Sequence, residues 1–131
     1  MADNANPKQI YGNKKPSLCL FPTSAQIAGW EAFQDGAIKY GPYNWRERPV
    51  EIQTYIEAAM RHLRLFEAGE DRTRDTNVQN LGAVIACCGI IIDAMAHNTA
   101  IDNRPKSPVV ADMIHNAEAM VAHFKELYNG N

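Results

Sequence analysis

The segment VEIQTYIEAAMRHLRLFEAG, from Val50 to Gly69, places its apolar side chains with the period of an α-helix. They recur at i, i+3, i+4, i+7, i+11 and i+14, as Ile52, Tyr55, Ile56, Ala59, Leu63 and Phe66. A stripe with this spacing lies on one side of a helix and has to be covered by another element. The segment therefore predicts a long amphipathic helix inside a helical domain.

The residues before this segment predict a first helix. Thr23 or Ser24 can accept hydrogen bonds from the free amides of a first turn, so the helix should start near them. Gly41-Pro42 should end it, because proline cannot continue a helix. The candidate strand in this part is the short SLCLFP, residues 17–22, and residues 1–15 form a polar tail.

The residues after the segment predict two further helices. The stretch from about Val78 to His97 is apolar nearly all round, so it should lie in the middle of the domain. Ser107-Pro108 is a cap followed by proline at the first helical position, which predicts a fourth helix. Residues 1–131 are therefore predicted to form one domain, an all-α bundle of four main helices. The predicted loops are 41–49, 70–77 and 98–107.

Composition excludes several classes of protein. The chain has 131 residues and a formal net charge of −2, which does not suggest binding to nucleic acid or to a membrane surface. The longest apolar run, Leu81 to Ile92, is too short to span a bilayer. The cysteines lack metal-ligand spacing, and the N-terminus lacks the apolar core of a secretory signal. We therefore expect a cytoplasmic protein.

Acidic residues near the end of the second helix are candidates for function. Continuing the helical wheel puts Glu67 and Glu70 near the apolar side, with His62 at its edge. Carboxylates that point toward a core are costly unless a cation or hydrogen-bond donors compensate them. The alternative is that Gly69 ends the helix and that Glu70-Asp71 simply enter a loop.

The third helix carries a carboxylate on a face of small residues. The small side chains are Gly82, Ala86 and Gly89, and they should let another helix approach closely. Asp93 falls on the same face, where it is either held by a neighbour's donors or coordinates a metal. Glu67, Glu70 and Asp93 from two adjacent helices could converge on Mg²⁺, which prefers hard oxygen ligands.

The stretch DGAIKYGPYNWRERP, Asp35 to Pro49, combines aromatic rings with positive charge. The cations Lys39, Arg46 and Arg48 flank the rings of Tyr40, Tyr43 and Trp45. Cations suit phosphate oxygens, and aromatic faces suit a stacked base. The stretch therefore indicates a nucleotide site; the alternative is that the rings merely pin a loop to the bundle.

These blocks resemble a known family. KPSLCLFP, GAIKYGPYNWRERP, YIEAAMRHLRLFEAGED and the following apolar helix are similar to the phage and prophage dATP/dGTP diphosphohydrolases, within the MazG-like all-α nucleotide pyrophosphohydrolases. The resemblance runs from about Lys15 to Ala94. It implies a purine dNTP substrate, release of pyrophosphate, dependence on Mg²⁺ or Mn²⁺, and a homodimer or homotetramer in the cytoplasm of the host cell. Some members, called MazZ, hydrolyse dGTP, or dATP as well, to the monophosphate and serve phages that replace adenine by 2-aminoadenine.

The resemblance also implies residues that bind the substrate. Lys39 and Arg61 would contact phosphates, although the helical wheel turns Arg61 away from the apolar side unless a second subunit packs there. Tyr43 or Trp45 would stack on the base, with Asn44 hydrogen-bonding nearby.

The resemblance implies metal ligands too. The wider superfamily uses ExxE on one helix and ExxD on the next; Glu67 and Glu70 match the first motif, and Asp93 matches the end of the second. Ile90 replaces the leading acid of the second motif, and Asp71 is a weaker candidate ligand.

The attacking water would be oriented or deprotonated by Glu67, Glu70 or His62. Close relatives tend to have histidines where this chain has Asn80 and Ala83, so Asn77 or Asn80 would supply an oxygen instead. The incomplete acidic set leaves an alternative function, that of a non-catalytic helical module that senses nucleotides.

Overall fold

The computed structural model describes residues 6 to 129, which are mainly helical. In chain order the elements are α1 (Pro7–Gly12), a 3-10 turn (Leu18–Leu20), α2 (Thr23–Tyr40), α3 (Asn44–Glu47), β1 (Val50–Glu51), α4 (Ile52–Glu67), α5 (Asn80–Ala96), β2 (Ala100–Ile101) and α6 (Pro108–Asn129). The predicted all-α fold with four long helices is confirmed. Of the predicted polar tail, residues 1–5 lie outside the described residues and α1 covers part of the rest.

Helix α5 lies in the middle, packed against α2 on one side and α4 on the other, as its apolar sequence predicts. Its small residues allow a close approach. A Cβ added at Gly82 would overlap the carbonyl oxygen of Ala28, and one added at Gly89 would lie 3.0 Å from Cζ of Phe33. The contact pairs advance in the same direction along both helices, so α2 and α5 run parallel.

Helix α4 buries its first turn more deeply than its last. Ile52 is only 2% exposed, whereas Leu63 and Phe66 are exposed. The helix ends at Glu67, and Gly69 adopts a positive φ of 105°, a conformation that suits glycine at a helix end. Strand β1, directly before α4, pairs in parallel with β2 after α5 through Val50 and Ala100, which ties the two helix ends together.

The predicted starts of α2 near Thr23 and of α6 at Pro108 are both confirmed, but the two predicted caps had different outcomes. The cap of α6 is confirmed, because Oγ of Ser107 accepts a hydrogen bond from the amide of Val110 at 3.2 Å. The cap of α2 by Thr23 or Ser24 is wrong, because Thr23 is already helical and Pro22 occupies the cap position without a side-chain bond. SLCLFP is a 3-10 turn with exposed side chains, so it is not a strand.

Helix α6 stands apart from the packed part of the chain. Every residue from Pro108 to Asn129 is exposed, so the core of the described chain is built by α2, α4 and α5 with the short α3. In the described part of the chain, no helix combines the length and apolarity needed to cross a lipid bilayer.

Candidate functional site

A cavity of about 710 Å³ opens between the second half of α2, the 41–46 turn and the second half of α5. Its volume lies within the range of small-molecule sites. Its lining is mostly apolar and includes six aromatic residues, Trp30, Phe33, Tyr40, Tyr43, Trp45 and Tyr55. Asn44, Arg46 and Asp93 add polar groups to one wall. The cavity can therefore accept a flat, partly polar ligand.

The turn that shapes the cavity mouth depends on backbone conformations that few residues adopt. Gly41 has φ +89°, and its amide closes α2 by donating to the carbonyl of Ala37 at 2.9 Å. Tyr43 has φ +55°, which is uncommon for a residue with a side chain and is found where surrounding contacts hold it. The turn leaves the Tyr43 ring 55% exposed at the cavity, with the guanidinium of Arg46 4.2 Å from the ring centroid.

Asp93 is held by donors from α3. The indole N–H of Trp45 donates to its Oδ2 at 2.7 Å, and Arg46 donates from Nε at 2.7 Å and Nη2 at 3.0 Å. Hydrogen bonds from Arg46 and then Trp45 lower the pKa of Asp93 to about 2. The same contact raises the pKa of Arg46. Of the two sequence-based interpretations of Asp93, the structure therefore favours the one in which neighbouring donors hold it.

Trp45 packs as part of the core. It is 8% exposed, and its ring lies 5.7 Å from that of Phe33 and 5.6 Å from that of Tyr43, tilted against both. Its indole N–H is already bonded to Asp93. Trp45 therefore forms the back wall of the cavity and pins α3 to α5, while Tyr43 presents the accessible ring.

A second polar centre lies where the end of α4 meets the start of α5. Asn80 is fully buried, and its side-chain N–H donates to the carbonyl of Glu70 at 2.9 Å. Its Oδ1 must then accept from Nδ1 of His62, which lies 2.8 Å away. A neutral His62 therefore carries its proton on Nδ1 and keeps a lone pair on Nε2, the form that can bind a metal or accept a proton.

The predicted acids do not assemble into one metal site within a single chain. Glu67 points to solvent with 72% of its side chain exposed and pairs with Arg64, so its predicted inward direction is wrong. Glu70 lies beyond the helix end and pairs with Arg74. The alternative, that Gly69 ends the helix and Glu70-Asp71 enter a loop, is therefore confirmed. Asp71 is also exposed in this loop.

The acids are also separated along α5. Glu70 contacts Asn80 at the start of α5. Asp93 lies thirteen residues after Asn80, so about 20 Å along the helix separates Asn80 from Asp93. Within residues 6 to 129, no three His, Cys, Asp or Glu side chains come together as a metal would require. The prediction that Glu67, Glu70 and Asp93 of one chain converge on an ion is therefore wrong.

The two predicted phosphate ligands lie outside the cavity lining. Lys39 pairs with Asp35 at 2.9 Å, and this hydrogen bond raises the pKa of Lys39. Arg61 lies on the outer side of α4, in a shallow groove with Met60, Arg64 and Leu65. The helical wheel is confirmed for Arg61, because within one chain it faces away from the cavity.

Two features of this region were not predicted. Tyr55 lines the cavity although its spacing marks it only as part of the apolar stripe of α4. Glu31 accepts hydrogen bonds from the amide of Gln79 at 3.0 Å and from Arg72 at 3.3 Å, which lower its pKa, the Gln79 bond most. The sequence signal for Glu31 was its position on α2, one helical turn before Asp35.

Residues 5–104 match the family described as dATP/dGTP diphosphohydrolase, N-terminal. The match includes the cavity and the His62–Asn80 centre and ends before α6. No curated protein matches, and no solved structure matches.

Proposed function

Because the chain belongs to the dATP/dGTP diphosphohydrolase family through that family's N-terminal region, we propose that it hydrolyses purine deoxynucleoside triphosphates to the monophosphate and pyrophosphate. The family's name already indicates a hydrolase that acts on dATP or dGTP. The finer proposal concerns the bond that is cleaved and the residues that act.

The aromatic cavity is the observation that carries this proposal. A purine is flat, and stacking on an aromatic ring contributes roughly 1–3 kcal/mol per base. Tyr43 is the proposed stacking ring, because it lines the cavity and is exposed, whereas Trp45 is buried behind it. Asn44 lines the same wall and would hydrogen-bond the edge of the base.

The positive charge at the cavity suits the triphosphate. Arg46 lines the cavity and donates to Asp93 through Nε and Nη2, which leaves Nη1 for a phosphate oxygen. Lys39 follows the cavity-lining Ala37 on α2 and would reach a phosphate by exchanging its pairing with Asp35. Arg61 is proposed to contact phosphate only if it comes from a second subunit.

His62 is the proposed general base for a nucleotide in the cavity of a second subunit, as Arg61 is the proposed phosphate ligand there. Within one chain, about 20 Å along α5 separates Asn80, which His62 contacts, from Asp93 at the cavity. The Nδ1–H of His62 is bonded to Asn80, so Nε2 is the atom that would accept a proton from water. The water oxygen would attack the α-phosphorus, the bond from that phosphorus to the bridging oxygen of the β-phosphate would break, and pyrophosphate would leave. The proton from the water would reside on Nε2 until it is released to solvent.

A divalent ion is part of the proposal, because a triphosphate supplies hard oxygen ligands of its own. The acids of one chain do not fit a closed metal site, so the steps above are assigned to the side chains and not to the ion. Glu67, Glu70 and Asp71 stay predicted ligands. The carbonyls of Glu70 and Asp71 both accept hydrogen bonds from Asn80, which contacts His62.

The proposed biological role follows from the resemblance. Removing dGTP or dATP would shape the nucleotide pool of a phage in the host cytoplasm, as in phages whose DNA contains 2-aminoadenine. Comparing dGTP, dATP and the corresponding ribonucleotides as substrates tests this role. A preference for ribonucleotides would contradict it.

Product analysis tests the reaction. The purified chain is incubated with dGTP or dATP and Mg²⁺ in heavy-oxygen water, and the products are separated by chromatography. We expect monophosphate and pyrophosphate, with the heavy oxygen in the monophosphate. A diphosphate product, or the label in pyrophosphate, contradicts attack at the α-phosphorus.

Product analysis also distinguishes the enzyme from the second candidate function, a nucleotide-sensing module. This candidate is favoured by the pairing of Glu67, Glu70 and Asp93, each with an arginine. It predicts that dGTP binds without turnover under the same conditions, as measured by calorimetry.

A further inference from the structure

Helix α6 carries a regular apolar seam that the packed part of the chain does not use. All residues from Pro108 to Asn129 are exposed, and the family match ends at residue 104. In a heptad register abcdefg, the a positions are Val110, Ala117 and Phe124, and the d positions are Met113, Met120 and Leu127. This 3-4 spacing over three heptads is typical of helices that pack side by side along their length.

The columns that flank the seam differ from each other. The e column is apolar, with Ile114 and Val121, whereas the g column starts with Val109 and continues with the polar Asn116 and His123. The positions farthest from the seam carry the charged side chains Asp112, Glu118, Lys125 and Glu126. The apolar side is therefore wider than the a and d columns alone, as in a helix that is buried along one face.

The connection to α6 is held by its own contacts. Asp102 pairs with Arg104 at 2.7 Å and with Lys106 at 2.9 Å. Oδ1 of Asn103 accepts the backbone amide of Gln53 at 2.9 Å. The Asn103 bond holds the segment between β2 and α6 against the start of α4, and the two Asp102 pairs lie within that segment.

We propose that the apolar face of α6 pairs antiparallel with α6 of a second copy of this chain. Eight large apolar side chains on the helix, from Val109 to Leu127, are between 50% and 70% exposed. Together they expose on the order of 1,000 Å², close to the roughly 800 Å² per partner of a stable interface. The area is therefore sufficient for a dimer.

The antiparallel direction follows from the flanking columns. In an antiparallel pair, e faces e and g faces g, so Ile114 and Val121 meet apolar side chains while Asn116 and His123 meet polar ones. A parallel pair would set the e column against the g column and bury polar groups against apolar ones. The antiparallel register also places the small Ala117 against the large Met120 of the partner subunit, Val110 against Leu127 and Met113 against Phe124, which keeps each layer filled.

Sedimentation velocity on the full chain tests the proposal. The unmodified chain is expected to be dimeric at micromolar concentration, and Phe124→Glu is expected to weaken dimerisation at least a hundredfold. Ala122→Glu, on the outer side of the same helix, adds the same charge and should leave the dimer intact. A monomeric unmodified chain, or a Phe124→Glu variant that dimerises normally, overturns the proposal and leaves this face to another partner.

A disulfide experiment tests the direction and does not depend on the stability of the glutamate variant. Single variants Val110→Cys and Leu127→Cys are prepared with the exposed Cys19 and Cys88 replaced by serine. Mixed and oxidised, they should form the heterodisulfide. Cross-linking of Val110→Cys with itself would indicate a parallel pair, because the antiparallel pair separates those two positions by about 25 Å. Absence of any cross-link also contradicts the proposal.

Discussion

Replacing Asn80 by alanine should destabilise the fold and slow turnover together. Asn80 is fully buried, and its side chain joins the carbonyl of Glu70 to the ring of His62. Alanine cannot replace either bond, and water has no open route to a fully buried position. The substitution therefore leaves a carbonyl oxygen and a ring nitrogen without their partners.

The magnitude follows from these two lost bonds. A buried polar group that loses its partner costs about 1–3 kcal/mol, so two such groups cost about 2–6 kcal/mol. A domain has only about 5–15 kcal/mol of stability in total, so the loss is a large fraction of it. His62 also loses the acceptor that holds its proton on Nδ1, so the rate of hydrolysis should fall even where the variant is fully folded.

Urea unfolding of the unmodified chain and of Asn80→Ala, at the same protein concentration, measures the change in the free energy of unfolding. Gln9→Ala, on the exposed α1, is the matched amide control and should change stability by less than about 0.5 kcal/mol. The turnover rate is measured without urea, at a temperature where circular dichroism shows that the variant is folded. A loss below about 0.5 kcal/mol for Asn80→Ala, or unchanged turnover, would falsify the proposed role of Asn80 in holding His62.

Tyr43→Ala should raise the KM for dGTP about tenfold or more with little change in stability, because about 1–3 kcal/mol of stacking is lost from an exposed ring; an unchanged KM rules out stacking there. Trp45→Ala should instead lower the unfolding free energy by about 3–5 kcal/mol, because it empties a buried position, and a change in KM alone would contradict this. The ion pair of Asp93 with Arg46 should stabilise the fold fully above about pH 4 and lose its effect as the pH falls toward 2, because the pKa of Asp93 is lowered from 3.8 to about 2. The unfolding free energy of Asp93→Asn, measured with urea, should therefore depend less on pH in this window than that of the unmodified chain. An equal pH dependence refutes the role of the pair. Removing divalent ions with EDTA should abolish turnover, and Mg²⁺ or Mn²⁺ should restore it; turnover in EDTA eliminates metal dependence. Glu70→Gln should abolish turnover without changing the urea midpoint, and full activity would remove Glu70 from the ligand set.

The sequence predicted well those features that depend on neighbouring residues along the chain. The four long helices follow from periodicity, and the Ser107 cap follows from local hydrogen bonding. The central place of α5 follows from its apolar residues, and its close contact with α2 follows from the small side chains at Gly82 and Gly89. The family was also evident from short blocks whose residues are close together in sequence.

The candidate site was predicted less completely. A helical wheel assigns a direction only while the helix continues, and α4 ends at Glu67, so the direction inferred for Glu70 did not apply. The wheel also takes no account of ion pairs with neighbouring side chains, such as the pair of Glu67 with Arg64. The burial of Trp45 and the exposure of Tyr43 depend on the left-handed turn between α2 and α3, which sequence spacing does not indicate.

The amino-acid order by itself determined the helices, their apolar faces and the family, because each arises from residues within a few turns of one another. Only the tertiary structure decided which groups meet: that Asp93 joins Trp45 and Arg46, that His62 joins Asn80, and that α6 leaves its apolar face uncovered. The physical reason is that the axial register between helices sets these meetings, and that register results from the packing of the whole core.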